Sequence, residues 1–253
     1  MKYKLVVADV DGTLAVPSER PSERPSSSLI ETVKKVKEQG VLFSIASGRS
    51  LSWVLEIIKG FELKTPIILD NGARVYDCKS QKYIWESLLS EVSSRKVLSY
   101  LSHDKSLRVI ITEDGNRFEE LTKISNWKIS KILVLGVTPQ KAEKIYNELS
   151  NVPKIYVTRS ISGLGEKSQS VHITQIDATK GIALSKVQEF LGVSKEETIA
   201  IGDSYNDYSL LMESGFRVAV ENAVPEIKSI ADYIAPSYDK DGVIEVLKKF
   251  VLK

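Results

Sequence analysis

The sequence predicts an α/β protein: a doubly wound parallel sheet into which a smaller α+β module is inserted. Three observations carry that reading. Short apolar runs at residues 4–8 (KLVVA), 41–46 (VLFSIA), 66–69 (PIIL) and 198–201 (TIAI) are bounded by turn residues, the pattern of strands buried on both faces. Helical patterns lie between them, at 28–39 stopped by Gly40, at 51–60, and at 180–191 stopped by Gly192. Strand alternating with helix builds a parallel sheet, because only a crossover returns the chain to lie parallel. Third, residues 82–170 change character, which divides the core into 1–81 and 171–253.

The first strand runs into DVDGT at 9–13, so a buried strand ends in paired acids. A tandem PSER follows at 17–24 and leads into serines, a loop by composition. It reads as a solvated connector, or as a lid, since it leaves from beside Asp11. The second strand ends in SGRS and the third in DNGA. The inserted module then reads strand (KYIWES), helix (EVSSRKVLSYLSHD), two strands about the turn EDGN, strand (KISKILVLG), helix (TPQKAEKIYNELSN) and two strands (KIYVTRS, SVHITQ). The core resumes with TKG opening a helix at Lys180, then a strand ending in GDSYND. The closing segment, 216–253, supplies another strand, a helix begun after Pro225 and a final amphipathic helix.

Thirty-five Lys and Arg against thirty-three Asp and Glu give a net charge of +2 with no long block of one sign. Nothing here suits a nucleic acid or a membrane surface, so the expected partner is a small molecule. The single cysteine, Cys78, excludes an internal disulfide and fits a reducing compartment. The N-terminus lacks a signal-peptide apolar region, and no stretch approaches the ~18 apolar residues of a membrane span. A cytoplasmic monomer or homodimer is expected.

Every chemically suggestive motif sits at the carboxyl end of a strand, where open α/β sheets bind ligands. Asp9 and Asp11 are two apart, so in extended chain both point the same way. Carboxylates that close repel unless a cation lies between them or one is protonated. A polar turn is the alternative for DVDGT, but it does not explain why a buried strand ends in acid. A calcium loop is excluded, because the glycine comes too early and no glutamate closes the set. In GDSYND, Asp203 and Asp207 flank Asn206; helix capping by Asp203 or Ser204 would explain one acid but not three polar groups at one strand end. Oxygen-only clusters such as Asp9, Asp11 and Asp203 suit a hard cation, and magnesium is the natural choice. Ser47 offers a hydroxyl with adjacent backbone N–H groups, including that of Gly48, at a strand-to-helix junction that suits phosphate oxygens. Lys180 opens a helix, where a cation opposes the dipole unless a negative group compensates.

In this order the four motifs, DVDGT, SGR, TKG and GDSYND, resemble those of the haloacid dehalogenase-like phosphohydrolases. DNGA and the closing NAVPEIKSIADYI…DGV resemble the Cof-type members, whose C2-type cap lies between the second and third motifs. The resemblance implies a Rossmann-like core with an inserted cap. It implies that Asp9 is the nucleophile taking the phosphoryl group, and that Asp11 is first the general acid and then the base. It implies that Asp9, the Asp11 backbone carbonyl and Asp203 hold Mg2+ with Asp207 in support, and that Ser47, Gly48, Lys180 and Asn206 bind the phosphoryl oxygens. Serine stands in the second motif where close relatives often carry threonine, and either hydroxyl serves.

Rival phosphatase designs are absent from the sequence. Cys78 has no arginine in the following loop, no RHG triplet occurs, and His103 and His172 read as structural. The cap is similar in size to those of archaeal-type phosphoglycolate phosphatases and sucrose-phosphatase-like enzymes. The expected activity is hydrolysis of a small phosphorylated metabolite, phosphoglycolate first and sugar phosphates next, with Arg159 or Lys167 of the cap selecting the substrate. Two other readings stay open: a phosphomutase of the phosphomannomutase type, and a signalling module that holds phosphate on aspartate.

Overall fold

The computed structural model describes residues 2–16, 25–161 and 168–252. The PSER repeat and Lys167, and with them the lid and that selectivity reading, lie outside the described residues. The chain begins with β1 (Leu5–Asp9), α1 (Ser27–Glu38), β2 (Leu42–Ala46), α2 (Leu51–Ile58), β3 (Pro66–Leu69), β4 (Arg74–Asp77) and β5 (Lys82–Glu86). The insertion follows as α3 (Glu91–Ser102), β6 (Arg108–Glu113), β7 (Asn116–Phe118), β8 (Ile129–Val137), α4 (Pro139–Leu149), β9 (Ile155–Ile161) and β10 (Gln169–Gln175). It returns through α5 (Lys180–Leu191), β11 (Thr198–Gly202), α6 (Tyr208–Met212), β12 (Phe216–Val220), α7 (Pro225–Ile230), β13 (Tyr233–Ala235) and α8 (Gly242–Phe250).

The larger sheet has the order β13-β12-β11-β1-β2-β3-β4-β5. From β13 to β3 neighbouring strands are parallel, and β4 and β5 extend the edge antiparallel. From β1 the chain winds to β2 and β3 on one side and later to β11, β12 and β13 on the other, so β1 and β11 bound the switch point. All five residues of β1 and of β11 are buried, as the continuous apolar runs require. Helices α1 and α8 pack together, as do α5 and α6, and both pairs join one hydrophobic core with the strands.

Five strands in the order β7-β6-β8-β10-β9 make the second sheet, antiparallel throughout. Its strands have two different faces, set by the period-two alternation of side chains. Ile111, Ile132, Val134, Val171 and Ile173 form the cap's own core with Val97 and Leu101 of α3 and Ile145 and Leu149 of α4. Ile110, Leu133 and His172 share the other face, Leu133 being paired with both neighbours. That face looks onto the loops at the strand ends of the core and onto Trp53 of α2.

Two segments fall across the expected divide at 82 and 170. KYIWES pairs with β4 and so extends the core sheet. Its residues are exposed or half-buried, as at a sheet edge, and composition alone assigns it to neither module. Strand β10 pairs with β8 and β9, so the cap sheet runs on to Gln175. A short strand, β13, also follows α7 where the sequence suggested only helices.

Candidate active site

The loop after β1 turns tightly because Leu14 and Ala15 donate backbone N–H groups to the Val10 carbonyl and Gly12 donates to Ala15. Gly12 has φ +85°, and a Cβ there would lie 2.5 Å from Asp203 Oδ2. Only glycine lets the two acidic loops approach this closely. Thr13 Oγ1 donates to Asp203 Oδ1 at 3.3 Å, and Asn222 Nδ2 donates to the Gly12 carbonyl at 2.8 Å. Chain segments about 190 residues apart thus meet at one strand-end cluster.

Asp9, Asp203 and Asp207 each bring a carboxylate oxygen within 4.8 Å of the others, and all three are buried. Lys180 stands among them with no exposed surface. Its Nζ donates to Asp9 Oδ1 at 2.5 Å and to Asp207 Oδ1 at 2.6 Å. Asp207 Oδ2 accepts from the backbone N–H groups of Asp203 and Ser204, both at 3.0 Å. Both oxygens of Asp207 are therefore engaged, while Oδ2 of Asp9 and of Asp203 has no donor among the described residues.

Electrostatics describe a site short of positive charge. Burial, then repulsion from Asp207, pushes the Asp9 carboxyl up to about 7. Burial, then Asp9 and Asp207, raises Asp203 well above the carboxylate range. Burial also works against the Lys180 ammonium, but Asp207 and Asp9 outweigh it and hold its pKa above the usual lysine range. Three carboxylates around one ammonium leave two negative charges unbalanced when all are ionised. An all-oxygen donor set with that excess fits a divalent hard cation.

The second motif is joined to DNGA. Ser47 N–H donates to the Ile68 carbonyl at 2.8 Å, and Asn71 N–H to the Ser47 carbonyl at 3.1 Å. Asn71 and Gly72 have φ of 60° and 98°. A Cβ on Gly72 would lie 2.1 Å from the Thr179 carbonyl oxygen, so glycine is needed where this turn meets the start of α5. Thr179 caps that helix, accepting the Ile182 N–H at 3.1 Å. Asn206 Nδ2 donates to Asn71 Oδ1 at 3.0 Å, which links the second and fourth motifs.

A cavity of about 890 Å³ lies between core and cap. Of the residues expected at the site, Asp9, Asp11, Gly48, Asp203 and Asn206 line it. Ser47, Lys180 and Asp207 are fully buried behind them, and the Ser47 hydroxyl accepts the Arg49 N–H at 3.0 Å. Arg49 grips Asp11 with Nε on Oδ2 at 2.8 Å and Nη2 on Oδ1. From the cap come Arg108, Arg117, Lys131 and an apolar group with Ile110, Leu133 and Leu135. Burial, then the charges of Lys131, Lys180 and Arg117, holds His172 neutral, and Ser160 Oγ lies 2.7 Å from its Nε2. His172 lines the cavity from the cap side. Arg159 does not reach the cavity: it pairs with Glu143 and lies over the rings of Tyr146 and Tyr205, holding cap to core.

Sequence reasoning missed Thr13, Arg49, Asn71 and Lys131. The first three sit inside quoted motifs, so their position was visible while their partners were not. Lys131 had one signal, a charge inside the apolar strand ISKILVLG.

Comparison with known proteins gives the same answer along the whole chain. The sequence pattern of haloacid dehalogenase-like hydrolases matches residues 6–120 and 112–247. Phosphoglycolate phosphatase 1 of Saccharolobus solfataricus is 30% identical over 251 residues, covering 98% of this chain and 96% of its own. The phosphoglycolate phosphatase of Staphylothermus marinus is 27% identical over 256 residues, covering 99% and 98%. A haloacid dehalogenase-like hydrolase from B. subtilis superposes with a TM-score of 0.84 at 22% identity, covering 98% and 99%. Fold, motif order and the reach of the family pattern agree: the chain belongs to the haloacid dehalogenase-like hydrolases.

Proposed function

We propose that the chain is a magnesium-dependent phosphatase that hydrolyses the monoester of a small metabolite, phosphoglycolate or a sugar phosphate, through an aspartyl phosphate on Asp9. One observation carries the reading: Asp9, Asp11 and Asp203 line a single cavity that the cap covers. Two relatives named for phosphoglycolate hydrolysis support the substrate class.

Asp9 and Asp203 would hold the ion through their undonated oxygens, with the Asp11 backbone carbonyl, and Asp207 would fix the loop that carries Asp203. Bound there, the ion supplies the positive charge that keeps Asp9 ionised and screens the incoming phosphoryl group. Asp9 attacks phosphorus, and the ester oxygen would leave with a proton from Asp11 once that carboxyl, paired with Arg49 in this structure, is released from it and protonated, a contribution of about 10²–10⁴-fold. Asp11 then takes a proton from water as that water attacks the acyl phosphate, which releases inorganic phosphate and restores Asp9. Lys180 keeps Asp9 oriented. The N–H groups of the Gly48 loop and the Asn206 amide would receive the phosphoryl oxygens.

The cap excludes bulky phosphoproteins by covering the cavity. No helix among the described residues is long and apolar enough to cross a membrane. The test is phosphate release from a panel of small monoesters with magnesium; release from none of them overturns the proposal.

A further inference from the structure

We infer that Lys131 recognises a carboxylate on the leaving alcohol, so that the substrates are phosphate monoesters of short hydroxy acids. This deepens the phosphatase reading above and rests on it. Lys131 rises from β8 on the cavity face of the cap and is only 3% exposed. Its Nζ donates to the Gly48 carbonyl, one residue beyond Ser47, so the ammonium lies over the loop that would seat the phosphoryl group. That acceptor is neutral, and no carboxylate pairs with Lys131 among the described residues. Asp70, whose Oδ2 takes the Ser130 hydroxyl at 2.9 Å and whose Oδ1 has no hydrogen-bond partner among the described residues, and Asp11 favour the charge without pairing with it, and burial outweighs them. A buried ammonium with one neutral acceptor has donors to spare, and a further negative group beside it would offset the remaining desolvation cost.

The negative side chains of the cavity's core floor are already engaged: Arg49 holds Asp11, and the ion would sit between Asp9 and Asp203. On the roof Glu119 is tied to Arg108 at 2.9 Å, and Arg117 lies over the Trp53 ring close to Lys131. A neutral sugar would offer the Lys131 ammonium no negative charge. A carboxylate beside the phosphoryl group would, and the short reach from Gly48 to Lys131 favours a short acid. At neutral pH the ammonium keeps its proton, since burial brings it down only to about 8.

The alternative is a latch, in which Lys131 only ties the cap to Gly48. A latch serves every substrate equally. The experiment therefore compares kcat/KM for phosphoglycolate with that for 2-hydroxyethyl phosphate, which lacks the carboxylate, in the unaltered protein and in Lys131→Met. The unaltered protein favours phosphoglycolate, and the ratio falls roughly tenfold to a hundredfold in the variant, the worth of a charged hydrogen bond. Lys131→Arg keeps more of the ratio than Lys131→Met. On the unaltered protein, glycolate inhibits at concentrations at least about tenfold below ethylene glycol, a reading that needs no variant. A ratio that changes less than about fivefold, or equal inhibition by the two alcohols, overturns the inference and leaves the phosphatase standing. No phosphate release from either ester by the unaltered protein, or from any other, overturns the phosphatase reading itself.

Discussion

Lys180 Nζ lies 2.6 Å from Asp207 Oδ1, and neither side chain has any surface in contact with solvent. The same ammonium reaches Asp9, so one cation supports two buried acids across 171 residues of sequence. Lys180→Met should unfold at lower denaturant than the unaltered chain, by about 3–5 kcal/mol, because it strands buried carboxylates. Its phosphatase activity should fall below detection. A variant of unchanged stability would contradict this account of the cluster.

Asp9→Asn should lose at least about 10⁴-fold in phosphate release, since an amide oxygen does not form the acyl phosphate. Asp11→Asn should lose about 10²–10⁴-fold and should accumulate phosphorylated protein, because attack is helped less by this residue than breakdown is. Rapid quench with a labelled ester separates the two. Substantial turnover in the Asp9 variant would remove the nucleophile from the mechanism.

Lys131 gives a pH signature independent of catalysis. Burial lowers its pKa from 10.5 to about 8 in the folded chain. Below pH 8 both states hold the proton, and the folded state carries the full cost of the buried charge, up to about 3 kcal/mol. Between about 8 and 10.5 the folded chain sheds the proton while the unfolded chain retains it, so the cost declines as pH rises. Lys131→Met should therefore gain melting temperature on the unaltered protein most at pH 7 and below, with the gain shrinking toward pH 10. A difference independent of pH would show that the ammonium is not strained by burial.

Chelation should abolish phosphate release and added magnesium should restore it. Magnesium should also raise the melting temperature, by about 2.7 kcal/mol of stability at a hundredfold excess over its dissociation constant. Asp203→Asn should raise the magnesium needed for half activity by about tenfold or more. Full activity in excess chelator is the result that would sink the metal assignment.

The acidic strand ends were legible because each follows an apolar run that only a buried central strand explains, and a topological switch brings such ends together. Two things were not. The cap boundaries were hidden because β5 is an exposed edge strand without an alternating pattern, and a strand's partner is a non-local fact. The hydroxyl of Ser47 could be placed in the right loop, but its acceptance of the Arg49 N–H within the same turn could not. Arg49 itself was quoted in SGR, yet its grip on Asp11 links residues 38 apart and leaves no local pattern.

The two unlike faces of the cap sheet bear on how such a protein changes over evolutionary time. Residues that pack on α3 and α4 build the module's own core, while alternate positions along β6, β8 and β10 look onto the chamber. Selectivity can therefore drift through the second set while the first keeps the scaffold and the strand-end acids keep the reaction.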